Sequence, residues 1–134
     1  MKKFLLICLL ALNLGVINVQ AHRYYCEVTG RQSDFDSSMK VIFDFGTSFT
    51  RDFWGDLSSR LKFVNENGNE IEFKSMVDAM NYMSDRGWSF LQAFATYTEG
   101  SEIQHWILYK DADTQEKAKE GIMTKEEWKQ KKQK

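Results

Sequence analysis

Two stretches of the chain alternate between apolar and polar residues, and this period of two constrains the fold more than any other feature. In residues 23–29 and 39–45 the apolar members of the alternation are Tyr24, Cys26, Val28, Met39, Val41, Phe43 and Phe45. Successive side chains of a β-strand point to opposite faces, so each stretch predicts a strand with one buried face. Cys26 lies between two large side chains on that face. We therefore expect its thiol to be part of the core and not a nucleophile or a metal ligand.

The period changes to that of a helix after residue 73. Ser75 and Asp78 have the spacing of a capping box, apolar residues follow at helical intervals, and Gly87 provides a stop. Before this helix, Leu61–Val64 and Glu70–Phe73 predict two short strands joined by a turn that contains Asn67-Gly68.

After the helix, Trp88–Tyr97 and Ile103–Lys110 are apolar on both faces, which predicts a central pair of strands. Cap residues at Asp113 and Thr124 indicate two further helical stretches, separated at Gly121. The sequence thus predicts an α+β fold, with an antiparallel sheet, one packed helix and a helical C-terminal extension over residues 111–134.

The N-terminus has the layout of an export signal. Lys2 and Lys3 precede an apolar run that is shorter than the roughly 20 residues of a membrane-spanning helix. Residues 19–21 have the small or modest side chains that signal peptidase recognises, so we expect cleavage after Ala21. We expect residues 1–21 to be a signal peptide and residues 22–134 to be a single domain with no transmembrane segment. Neither Cys8 nor Cys26 follows a small residue, so we expect a periplasmic or secreted protein that is not lipidated.

Composition excludes several classes of function. Loss of Lys2 and Lys3 with the signal leaves 16 basic and 19 acidic residues, a net charge of −3, which argues against a nucleic-acid binder. The remaining 113 residues hold one cysteine, so an intramolecular disulfide is impossible and packing must stabilise the domain. The chain has no phosphate-binding loop, no nucleophile elbow and no zinc-protease motif, and we expect neither enzymatic activity nor a cofactor.

The residues Asn81 to Trp88, NYMSDRGW, together with HWILYK at positions 105–110, are similar to a small bacterial domain family of unknown function. Its members run from a first strand through a helix ending in Gly-Trp to a hairpin that finishes with a basic residue. The resemblance covers about half of the mature chain and makes residues 30–73 an insertion. It implies a helix packed against an antiparallel sheet, and it carries over no catalytic residues.

The segment GTSFTRDFWGDLSS, residues 46–59, is the first candidate site. Phe49, Phe53 and Trp54, with Arg51 beside them, are suited to contact a sugar ring or a partner protein, because aromatic rings offer large contact areas and polar neighbours give orientation. The alternative is that the rings close the open end of the sheet. That alternative is the more ordinary one, since most large aromatic side chains are mainly buried.

His22 is the second candidate, because cleavage after Ala21 makes it the first residue. An N-terminal histidine can bind one copper ion through its amine and its ring, and His105 is the remaining histidine that could complete such a site. The sequence therefore predicts a small exported binding or interaction module, with an unknown protein or glycan as its ligand. An exported copper-binding protein is the alternative.

Overall fold

The computed structural model describes residues 21–32, 39–46, 62–98 and 100–133. They form a four-stranded antiparallel sheet with the strand order β2-β1-β4-β3. The strands are β1 (His22–Gln32), β2 (Met39–Asp44), β3 (Ser89–Thr98) and β4 (Ser101–Ala112). The helices are α1 (Met76–Ser84), α2 (Gln115–Ala118) and α3 (Lys125–Lys132). The α+β class and the antiparallel sheet predicted from the sequence are confirmed.

One face of the sheet forms the core. Cys26 pairs with Leu108 of β4, and Val28 pairs with Phe43 of β2, and all four side chains are buried. Directly opposed residues of neighbouring strands point to the same face, so this register aligns the apolar sides of three strands. The prediction that β1 has one buried face is therefore confirmed, and Cys26 is a core residue.

The predicted central pair is only half right. β4 lies between β1 and β3 and is central, whereas β3 is the last strand of the sheet, and all ten of its residues are exposed. Apolar residues on both faces of β3 indicated burial on both faces. Its position at the edge leaves them accessible instead, and the buried cluster takes its strand residues from β1, β2 and β4.

α1 begins and ends as its sequence predicts. The Ser75 side chain accepts a hydrogen bond from the Asp78 N–H at 3.1 Å, but the Asp78 carboxylate accepts from the N–H of Lys74 and not of Ser75. Beyond the last turn, Gly87 has φ 82°, as expected for a glycine stop. The helix contributes Met76, Ala79 and Met83 to the core.

The two short strands predicted around residues 65–69 are reduced to isolated bridges, in which Val64 pairs with Glu70 and Phe63 pairs with Thr124. The turn between them is present, and Gly68 has φ 83°. A Cβ at Gly68 would lie 2.3 Å from the Trp128 ring, so α3 packs directly on the backbone of this turn. Pairing with the C-terminal segment thus replaces a regular two-stranded hairpin.

Two lysines join this turn to its surroundings. The Glu70 carboxylate accepts from Lys62 Nζ at 2.7 Å and from Lys125 Nζ at 2.5 Å. These hydrogen bonds lower the pKa of Glu70 to about 2. The ion pairs connect the residues before the turn to the start of α3.

The helical C-terminal extension packs against the core. Ala118 of α2 and Ile122 beyond it are buried in the same cluster as Phe63 and Trp88. Thr124 caps α3 through a complete capping box with Glu127. None of the helices among the described residues is long and apolar enough to cross a membrane.

Candidate functional site

The first predicted site, Phe49, Arg51, Phe53 and Trp54, lies outside the described residues. The interpretation of these rings as a contact surface, or as a plug at the end of the sheet, therefore stays a prediction.

His22 and His105 do not come together. His22 pairs with Ala112 at the start of β1, whereas His105 pairs with Thr29, seven residues further along the strand. Seven residues of strand span roughly 23 Å, and the odd difference places the two rings on opposite faces of the sheet. The two-histidine copper site is thus not assembled. Within the ranges that the structure describes, no group of three or more His, Cys, Asp and Glu side chains is placed to hold a metal ion.

Cys26 is also unsuited to chemistry. Its side chain is 0% exposed, and burial raises the pKa of its thiol well above the usual value. A nucleophilic or metal-binding cysteine has to form the thiolate, which this environment disfavours.

The most conspicuous exposed surface is β3, Ser89–Thr98, which we call the β3 edge. Its sequence, SFLQAFATYT, contains no charged residue. The exposed fractions are 48% for Phe90, 49% for Leu91, 47% for Phe94 and 75% for Tyr97. One side of the strand pairs with β4, and no strand among the described residues pairs with the other side. The unpaired side therefore presents backbone N–H and C=O groups between exposed apolar side chains.

Contacts to β4 hold these side chains in place. Phe90 packs edge-on against Trp106 with ring centroids 5.5 Å apart, and the Tyr97 hydroxyl donates to Glu102 at 2.8 Å. This hydrogen bond raises the pKa of the Tyr97 phenol. The register shifts between Phe90 and Gln92, which leaves Leu91 as the extra residue of a bulge. The β3 edge is thus ordered by its one neighbour.

Glu27, Phe94, Thr96 and His105 form a cluster, which we call the His105 cluster, on the face of the sheet opposite the core. His105 Nδ1 is 2.6 Å from a Glu27 carboxylate oxygen, and His105 Nε2 is 2.8 Å from the Thr96 hydroxyl. The Phe94 ring stacks on the imidazole, with centroids 4.6 Å apart and planes at 1°. The cluster connects β1, β4 and β3.

The order of groups in the His105 cluster, carboxylate to imidazole to hydroxyl, is the one that hydrolases use to activate a nucleophile. Catalysis also needs a pocket for substrate and donors for the oxyanion, and these residues lie on a sheet face. The arrangement fixes the ring of Phe94 and the position of β3. Sequence reasoning missed it because Glu27 and His105 are 78 residues apart and only the strand register brings them together.

A search of protein-family models, of curated proteins and of solved structures finds no match to this chain. The resemblance of the helix, Gly-Trp and HWILYK segments to a bacterial domain family therefore stays a prediction, and the site is interpreted from its own geometry.

Proposed function

We propose that the protein is an exported, non-catalytic interaction module that binds through the β3 edge. The observation that carries the proposal is a ten-residue edge strand without charge, on which four large apolar side chains are exposed. Soluble proteins usually protect such an edge with charges, prolines or covering segments. An unprotected edge is the surface to which another strand adds through backbone hydrogen bonds.

We propose a second copy of this chain as the occupant. In an antiparallel two-fold pairing, every residue of β3 faces another residue of β3, and the strand holds no charge that would be repelled. The opposite edge of the sheet is less suitable, because β2 has six residues and carries Lys40 and Asp44. Pairing along β3 would join two sheets into one of eight strands.

The accessible area predicts a weak dimer. The rings of Phe90, Phe94 and Tyr97 together expose roughly 350 Å² per protomer, when a full aromatic side chain is taken as about 200 Å². Two protomers would bury at most about 700 Å² of ring surface, with further area from Leu91 and the backbone. Stable interfaces bury about 1,200–2,000 Å² in total, so the association should depend on concentration.

The other parts of the proposal depend on other residues. The layout of residues 1–21 supports export, and the buried thiol of Cys26 supports a role without chemistry. The His105 cluster supports binding, because it holds Phe94 of the β3 edge in one orientation. None of these features depends on the occupant of the edge.

Sedimentation velocity over about a hundredfold range of protein concentration tests the proposal. We expect a monomer at the lowest concentration and a rising dimer fraction at the highest. The variant Leu91→Lys/Ala95→Lys should remain monomeric, because two charges on each strand would face their counterparts across the two-fold axis.

The matched control is Val77→Lys/Asn81→Lys, which adds the same two charges to the exposed face of α1, where Val77 is 58% exposed. It should dimerise like the parent protein. A parent that stays monomeric throughout would contradict the proposed occupant. Equal dimerisation of the Leu91→Lys/Ala95→Lys variant would show that the interface lies elsewhere.

A further inference from the structure

A cavity of about 270 Å³ opens at the end of the sheet where β1 begins and β2 ends. Its lining includes His22, Tyr24, Phe45, Trp88, Gln115 and Lys119. It lies far from the centre of the β3 edge, because His22 pairs with the last residue of β4. Small-molecule sites have this general composition, with aromatic walls and a few polar groups.

Trp88, one of the residues that line the cavity, has a hydrogen-bond donor without a partner. Trp88 is buried, and its indole N–H is the buried side-chain polar group left unpaired in the part of the chain that the structure describes. Phe45 packs edge-on against the Trp88 ring at 5.4 Å and offers it no acceptor. Buried donors are almost always paired in native proteins, so this N–H calls for an acceptor that the described residues do not supply.

The charged side chains that line the cavity are both basic. Arg23 is paired with Asp111, and Lys119 Nζ donates to Glu127 at 2.8 Å. A lysine ammonium has three protons, so Lys119 retains donors for a further acceptor. Gln115 also contributes an amide, whose nitrogen donates to the backbone carbonyl of Phe45 at 3.0 Å. The cavity thus combines aromatic walls with an excess of donors.

We propose that this cavity binds a small organic carboxylate with an aromatic or branched apolar body. The apolar part would contact Tyr24 and Phe45, and the carboxylate would accept from Lys119, with the Trp88 N–H as the second donor. A cavity of this size suits a ligand of about ten non-hydrogen atoms. The site is independent of the proposed pairing along β3.

The probes are phenylacetate and its neutral analogue phenylacetamide, titrated into ¹⁵N-labelled protein. The indole N–H of Trp88 is one of four tryptophan indole signals, and the variant Trp88→Phe assigns it by its loss. We expect phenylacetate to shift this signal saturably, with phenylacetamide binding at least about fivefold more weakly. No saturable shift with phenylacetate, or equal affinity for the two probes, would overturn the proposal.

The variant Lys119→Met tests the charge without depending on the folding of Trp88→Phe. We expect it to weaken phenylacetate binding roughly three- to fivefold, a modest effect because Lys119 is already paired with Glu127. Lys117→Met is the control, since Lys117 lies in α2 two residues before Lys119, has a side chain that is 65% exposed and does not line the cavity. Binding that falls equally in both variants would also refute the assignment.

Discussion

Gly87 tests how α1 is joined to the sheet. Its N–H donates to the Ser84 carbonyl at 2.9 Å, and the Trp88 N–H donates to the Met83 carbonyl at 3.1 Å. These two hydrogen bonds, together with the αL conformation of Gly87, form the Schellman motif. Met83 and Trp88 both lie in the core, so the motif fixes the direction in which the chain leaves the helix. Valine at position 87 should therefore destabilise the protein mainly through the backbone conformation and less through any side-chain contact.

The magnitude follows from the backbone geometry. A non-glycine residue at φ 82° costs about 1–2 kcal/mol, and loss of glycine flexibility in the unfolded chain returns about 0.4–1 kcal/mol. We expect Gly87→Ala to lower the free energy of unfolding by about 1 kcal/mol and Gly87→Val by about 2, since β-branched residues fit this conformation worst. Gly87→Asn should cost least, because asparagine tolerates αL.

Urea denaturation with a common slope measures these differences. A Cβ at position 87 would lie 3.5 Å from the Lys110 side chain, which is ordinary contact, so steric conflict should contribute little. The Lys110→Ala background tests this point, because a clash would make the penalty of Gly87→Val shrink there. A penalty for Gly87→Val below about 0.3 kcal/mol would refute the motif as the end of α1.

Three further predictions concern the core, one ion pair and the segment of residues 46–59. Cys26 should resist a thiol reagent in the native protein and react after denaturation, and Cys26→Ser should cost about 1–3 kcal/mol; rapid native labelling would contradict its burial. The lowered pKa of Glu70 means that its carboxylate stabilises the protein above about pH 4.5, and that this contribution is lost as the pH falls towards 2. Linkage limits this contribution to the free energy of unfolding to about 3 kcal/mol, and solvent screening reduces it to about 1 kcal/mol. Glu70→Gln should therefore destabilise the protein at pH 7 but hardly at pH 2. A pH-independent effect would exclude the ion pairs as its cause. If Phe53 is a core plug, Phe53→Ala should cost roughly 3–5 kcal/mol, whereas Trp54→Ala should leave stability nearly unchanged if that ring is a contact surface; calorimetry of the two single variants separates these interpretations.

Local patterns predict those parts of the fold that local physics determines. The alternation around Cys26 identifies a buried strand face because period two has no other ordinary origin. Ser75 and Gly87 bound α1 because a hydroxyl cap and an αL stop act within a few residues. These predictions needed no knowledge of the strand order.

Other features depend on the order of the strands, which the sequence does not specify locally. The apolar run of β3 suits a central strand as well as an edge strand. It is an exposed edge because β4 is the one strand that pairs with it among the described residues. The same holds for the His105 cluster, whose three strands are brought together by register. The separation of His22 from His105 likewise follows from the register of β1 and β4 and not from either residue's neighbours.

The core and the β3 edge are separable in energetic terms. The buried cluster includes side chains from β1, β2, β4, α1, α2 and the segment between β2 and α1, whereas no residue of β3 is buried. Removal of the Tyr97 side chain gives up little hydrophobic stabilisation, because the residue is 75% exposed and most of its surface is already in contact with water. Stability therefore offers no account of why β3 has four exposed apolar side chains and no charge. The proposed association does offer one, since these side chains would gain burial when a second strand covers them.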